Sequence, residues 1–116
     1  MVGGCKGPKD HLTDVQIALI DQSTKTIGEF KVSDSIRLNK ERSCHMSVYS
    51  EKQNKLYVLG GFDGWECLKE VEVVDLSVDT PKFEAIPDME SRVKNGVAIL
   101  NESDQCIYII GGWDEK

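Results

Sequence analysis

Apolar and polar positions along this chain come in short bursts, and no window sustains a helical period. "KLYVLGG" (55–61) and "CIYIIGG" (106–112) are runs of Ile, Val, Leu and Tyr that stop at two glycines. Short apolar runs bounded by breakers read as strands buried on both faces. "EVEVVDL" (70–76) alternates and then turns apolar at Val73-Val74, again a strand pattern. The polar segments "SEKQN" (50–54) and "NESDQ" (101–105) have the length of hairpin connections. "SVDTPKF" (77–83), with its Asp, Thr and Pro, reads as a turn. The pattern predicts an all-β chain.

The diglycines recur at Gly3-Gly4, Gly60-Gly61 and Gly111-Gly112. Repetition on this scale decides architecture. Aligning the last two lays residues 41–62 over 91–113, with one extra residue in the second copy. Arg42 then matches Arg92, Tyr57 matches Tyr108, and Phe62 matches Trp113. In the first interval, residues 15–32 lie over 71–86, with Asp21 on Asp75 and Phe30 on Phe83. A diglycine costs backbone entropy and packs no side chain, so its recurrence points to a positive φ or a close backbone approach.

"YVLGG" and "YIIGG", the upstream Arg42 and Arg92, "VEVVD" followed by Phe83, and "MESR" (89–92) together resemble the kelch repeat. The resemblance runs from Val2 to Trp113. It implies four-stranded antiparallel blades and a partial β-propeller over 1–116, with about two blades' worth of strands. Residues 1–32 would form the outer half of a first blade, 42–86 a complete blade, and 92–113 the inner half of a third. The six repeat glycines Gly3, Gly4, Gly60, Gly61, Gly111 and Gly112 would close second strands where blades crowd together. The units diverge from the usual kelch pattern, with Phe30 and Phe83 in place of Trp and Ile20 and Val74 in place of Tyr. The first unit departs most, through a linker from Gly4 to Val15 and a long polar stretch over 31–41. Too few strands are present to close a ring, and Met1 falls inside a strand pattern. The expectation is a segment of a longer protein; self-assembly of three copies, or pairing with further kelch repeats, is the alternative.

With 116 residues, a net charge of −6 and a pI near 4.9, the chain is poorly suited to nucleic acid or anionic lipid. It has no apolar run of spanning length and no signal-peptide core, so a cytoplasmic address is expected. Cys5, Cys44, Cys67 and Cys106 lack CxxC or zinc spacing and read as free thiols. His11 lies in a polar linker and His45 at the start of an apolar strand; neither completes a nucleophile–base set. Asp10/Asp14 and Asp63/Glu66 read as solvated loop charge, and "GGFDGW" lacks the helix and lysine of a phosphate loop. Copper-oxidase relatives of the kelch type need a Tyr/His set that two separated histidines do not supply. The expectation is no catalysis, no cofactor and no metal.

Recognition residues are expected on loops held by the rigid scaffold. Phe62, Asp63 and Trp65 in "FDGWECLKE" (62–70) offer an aromatic with a charged rim. Arg42 and Arg92, with Ser43 and Asn95 nearby, enter the innermost strands. In kelch proteins similar to this one, arginines there line the channel mouth and take acidic or phosphorylated peptides, which guanidinium forks suit. Two alternatives stay open: arginines that brace the blade junction, and a Trp65 that covers the neighbouring blade. The resemblance implies a protein-interaction module. Its first implied role is substrate recognition for a cullin-3 ubiquitin ligase, its second actin-binding or cytoskeletal scaffolding, and its third a truncated product without independent function.

Overall fold

The computed structural model describes residues 1–114, and those residues contain strands and turns but no helix. In chain order the strands are β1 (Cys5–Gly7), β2 (Asp10–His11), β3 (Asp14–Ile17), β4 (Ile20–Asp21), β5 (Thr26–Ile27) and β6 (Lys31–Arg37). They continue with β7 (Met46–Ser50), β8 (Lys55–Leu59), β9 (Val71–Asp75), β10 (Phe83–Ile86), β11 (Val97–Asn101) and β12 (Cys106–Ile110). The middle of the chain folds into one antiparallel sheet in the order β10-β9-β8-β7. The C-terminal hairpin pairs β11 with β12. At the N-terminus, β3 and β4 form one arm of an irregular hairpin and β5 and β6 the other. Met1–Gly3 runs beside β3: Val2 bridges Val15, and the Gly3 amide donates to the Asp14 carbonyl at 2.8 Å.

Three units therefore stand side by side, and strand alternation sorts their side chains onto two interfaces. On β8, Val58 and Leu56 face the first unit, where they meet Val15, Leu38 and Ile36. Leu59 and Tyr57 face the other way and pack with Val71, Ile107 and Ile109 of the following elements. The continuous apolar run "LYVL" is thus explained: the strand is covered on both sides.

The backbone repeats more strictly than the sequence alignment suggested. Both inner hairpins close through loops of one length, 51–54 between Ser50 and Lys55 and 102–105 between Asn101 and Cys106. The extra residue expected in the second copy does not exist. With it goes the match of Arg42 to Arg92: Met46 lies opposite Leu59 as Val97 lies opposite Ile110, which puts Val93 in the place of Arg42. The hydrogen bonds agree. Gly4 donates to the Arg42 carbonyl and Gly61 to the Val93 carbonyl, each at 2.8 Å, while Arg42 and Val93 donate to Leu12 and Leu68. Aligning two arginines made chemical sense, but a one-residue shift turns every following side chain to the other face.

Two further expectations change. The supposed linker from Gly4 to Val15 contains the β1–β2 hairpin, and the polar stretch after Phe30 is strand β6 as far as Arg37. Ile36 and Leu38 face the core there, and Arg37 reaches Asp14 at 3.1 Å, so a half-polar outer strand is stable against a single partner. Phe30 lies outside the strands and is exposed, whereas Phe83 is buried. Asp21 and Asp75 do play one part: each carboxylate accepts the amide two residues on, from Ser23 at 2.8 Å and Ser77 at 2.9 Å, and starts the outer turn.

The diglycines are explained by both of the reasons raised above. Gly61 has φ +103°, and a Cβ there would stand 2.6 Å from the Ser43 carbonyl oxygen and 2.9 Å from the His45 Cβ. Gly4 has nearly the same backbone, φ +108°, with open space where the Cβ would go. The pair separates conformation from contact. Gly4→Ala is expected to cost the conformational strain of ~1–3 kcal/mol. Gly61→Ala is expected to cost clearly more, because a backbone carbonyl must also move; urea denaturation of the two variants checks this.

Candidate interaction face

One of the residues expected at the binding site, Arg42, is inside the protein. It is 0% exposed. Its Nη1 donates to the Gly60 and Glu70 carbonyls at 2.8 and 2.9 Å, and its Nη2 pairs with Glu72 Oε2 at 2.7 Å. The same carboxylate accepts the amides of Asn39, at 2.6 Å, and Lys40, at 3.3 Å. Arg42 and Glu72 together tie the segment entering the middle sheet to the strands it enters. A guanidinium surrounded by carbonyls and one buried carboxylate has no surface to offer a partner. Ser43 is buried too; it shares a hydrogen bond with His11 Nδ1 at 2.9 Å and bridges Phe62.

A row of side chains crosses the loops of all three units. His11, from the segment read as a polar linker, is buried with its ring edge-on to Phe62 at 5.5 Å. Lys94 places its ammonium 4.2 Å from the centre of the Phe62 ring and 4.4 Å from that of Trp113. A cation between two π-faces is attracted to both. The aromatics after Gly61 and Gly112 signalled half of this row in the sequence, but nothing marked Lys94, because its two rings lie 32 and 19 residues away.

The loop after Gly61 is built around Asp63. Its Oδ1 accepts the amides of Trp65 and Glu66, both at 2.9 Å, and Lys40 lies 3.6 Å from its Oδ2. Partial burial pushes the Asp63 carboxyl upward, but those two amides and the Lys40 ammonium more than offset it and hold it below the usual carboxylate range. This frame holds Trp65 at the loop tip, 84% exposed. Beside it Arg92 donates to the Cys67 carbonyl at 2.8 Å and pairs with Glu66 at 2.9 Å. Behind them opens a cleft of about 390 Å³, lined by Glu66, Cys67, Lys69, Glu90, Arg92 and Asp114 among others. Asn95 is exposed, with φ +57°, and donates its amide to the Cys44 carbonyl at 2.9 Å.

Of the residues expected to bind a partner, Trp65, Arg92 and Asn95 are thus on the surface, Phe62 and Asp63 are half-buried and organise the loop, and Arg42 and Ser43 are internal. The sheet β7–β10, its closing diglycine and the Trp65 loop form one continuous segment. Residues 44–90 match the Kelch motif. The match covers the whole of that sheet, and the all-β antiparallel fold is consistent with Kelch blades. A Kelch motif suggests a protein-interaction module and is typically non-enzymatic. A search of curated proteins returns no matching relative. Among the described residues, no group of three or more His, Cys, Asp or Glu is placed to hold a metal ion, and no helix is long and apolar enough to cross a membrane.

The buried pair makes a quantitative expectation. Arg42→Met leaves the Glu72 carboxylate buried without its cation and should cost about 3–5 kcal/mol. The Arg42→Met/Glu72→Leu double variant should cost less than the sum of the two singles, as a denaturation double-mutant cycle will read. His45 gives a pH expectation. Burial, and then the Arg42 charge, hold its pKa below the ordinary 6.5, and its Nδ1 has no hydrogen-bond partner. The unfolded chain therefore takes up this proton first as pH falls. Stability due to neutral His45 is complete above pH 6.5 and declines as the pH drops through the lowered folded value. A melting temperature that falls between pH 7 and 5, and falls less in His45→Asn, is the expected result.

Proposed function

We propose that this chain is a protein-interaction module whose partner sits on the loop face around Trp65, with Arg92 and Asn95 at its border. The observation that carries the reading is Trp65 itself: a large aromatic, 84% exposed, on a loop held by two Asp63 hydrogen bonds. A rigid aromatic beside a cleft loses little entropy on binding, which is the chemistry of an interface anchor. The cleft rim is balanced toward acid, with Glu66, Glu90 and Asp114 against Lys69 and Arg92. Arg92 is already neutralised by Glu66, so an acidic peptide would have to displace that carboxylate. A partner with an apolar or aromatic contact and a mixed-charge rim fits better.

Within this reading we place substrate recognition for a cullin-3 ubiquitin ligase first, in the cytoplasm, where the four free thiols of the chain would stay reduced. An actin-binding scaffold comes second: repeated exposed basic patches would favour it, and the chain carries a net −6. We assign residues 42–86 as the complete blade, flanked by an outer half-blade before it and an inner half-blade after it.

The test compares proteins retained from a lysate by the wild-type chain and by Trp65→Ala. A specific partner should be reduced at least tenfold with Trp65→Ala and kept by the remote exposed control Leu19→Ala. Melting temperatures of both variants should stay near wild type. A partner retained equally by Trp65→Ala would remove the loop face from the interface.

A further inference from the structure

β12 is hydrogen-bonded to β11 on one side, and among the described residues no strand pairs with its other side. Its face away from the middle sheet is apolar and exposed at Val97, Ile99, Tyr108 and Ile110. At the opposite end of the molecule, the side of β3 away from β6 is bordered, among the described residues, by Met1–Gly3, which reaches no further than Gln16. The first-unit side of β7 is left open there, with Tyr49 half exposed. We propose that these ends fit each other in separate molecules: β11–β12 of one copy adds to β3 of a second, and Gly111-Gly112 takes the place held by Gly3-Gly4.

The backbone supports this occupant in particular. Gly3, Gly60 and Gly111 share one conformation, with φ of +64°, +60° and +67°. A Cβ at Gly3 would meet the Arg42 carbonyl, His45 and Leu38, and one at Gly60 would meet Val93, Met89 and Leu68, whereas one at Gly111 would meet open space. Gly111 is already shaped for a neighbour it lacks. The register is defined as well. In the middle sheet Tyr57 lies opposite Val73 and Leu59 opposite Val71. The Val2–Val15 bridge repeats the Leu59–Val71 pair, so Tyr108 would lie opposite Ile17 and Ile110 opposite Val15. A five-residue strand would then replace the short Met1–Gly3 contact, and the exposed apolar face would be covered.

Electrostatics permit the exchange. In the middle sheet the positions facing each other are Arg42 and Glu72. At the proposed junction they are Val93, in the place of Arg42, and Gln16, in the place of Glu72. No unpaired charge is buried, so neither side carries the desolvation cost that would forbid pairing. The contact is head-to-tail, so it propagates until a ring closes or a filament forms.

The test uses the 116-residue chain and does not depend on the reading of the Trp65 face. Light scattering on the eluting protein should give a mass at a multiple of 13.0 kDa. Ile110→Lys, placed where the side chain is exposed in the free chain, should return it to a folded monomer by circular dichroism. An oxidised Ile17→Cys/Tyr108→Cys variant, with the exposed Cys5, Cys44 and Cys106 changed to Ser, should run as a covalent ladder without reductant. A 13.0 kDa monomer at tens of micromolar would overturn the proposal. So would an oligomer that the cysteine pair fails to cross-link, since pairing β12 with β12 would leave Ile17 far from Tyr108.

Discussion

The amide of Gly61 reaches the Val93 carbonyl at 2.8 Å, and the amide of Gly4 reaches the Arg42 carbonyl at the same distance. These bonds join the end of one unit's second strand to the entry of the next, and they set how closely the units stand. Any side chain on Gly61 would meet Ser43 and His45 first. The close approach fixes the spacing of the two apolar interfaces, because Val58 and Leu59, just before the diglycine, must pack on opposite neighbours. It also fixes where the following loop emerges. Trp65 sits four residues beyond Gly61, held on the loop face by Asp63.

Charge is distributed unevenly over this regular backbone. At the junction of the first and middle units Arg42 and Glu72 are buried, paired and hydrogen-bonded to backbone groups, whereas the Arg92–Glu66 pair beyond the middle unit lies at the surface. A buried pair adds little net stability compared with apolar residues of the same size, but each member requires the other. It thereby specifies which strand may follow Arg42. His45, wedged between Gly3 and Gly61, adds a partly buried ring that prefers to be neutral beside that guanidinium. The interior of the junction is rigid and closed, and recognition is left to the rim.

The loop face joins the units by different chemistry. The His11 ring meets Phe62 edge-on and Lys94 bridges Phe62 to Trp113, so loops from three units support one another. A face braced in this way can hold an exposed tryptophan in one place, which connects the packing of the scaffold to its proposed use.

The strands, their breakers and the Tyr57–Tyr108 and Phe62–Trp113 matches were legible in the residues, because each depends on neighbours close in sequence. Period-two alternation and glycine conformation are local physics. The pairing of Arg42 with Glu72, the burial of His11 against Phe62 and the placing of Lys94 between two rings were not legible, because each joins residues 19 to 51 positions apart. The register shift that puts Val93 where Arg42 stands shows the boundary most clearly. Sequence similarity can accept a gap to align two arginines, whereas a hydrogen-bonded ladder cannot accept one without turning its apolar face to water. The sequence by itself determined what kind of elements would form; only the tertiary structure decided which arginine is inside, since burial is a property of the assembled sheets.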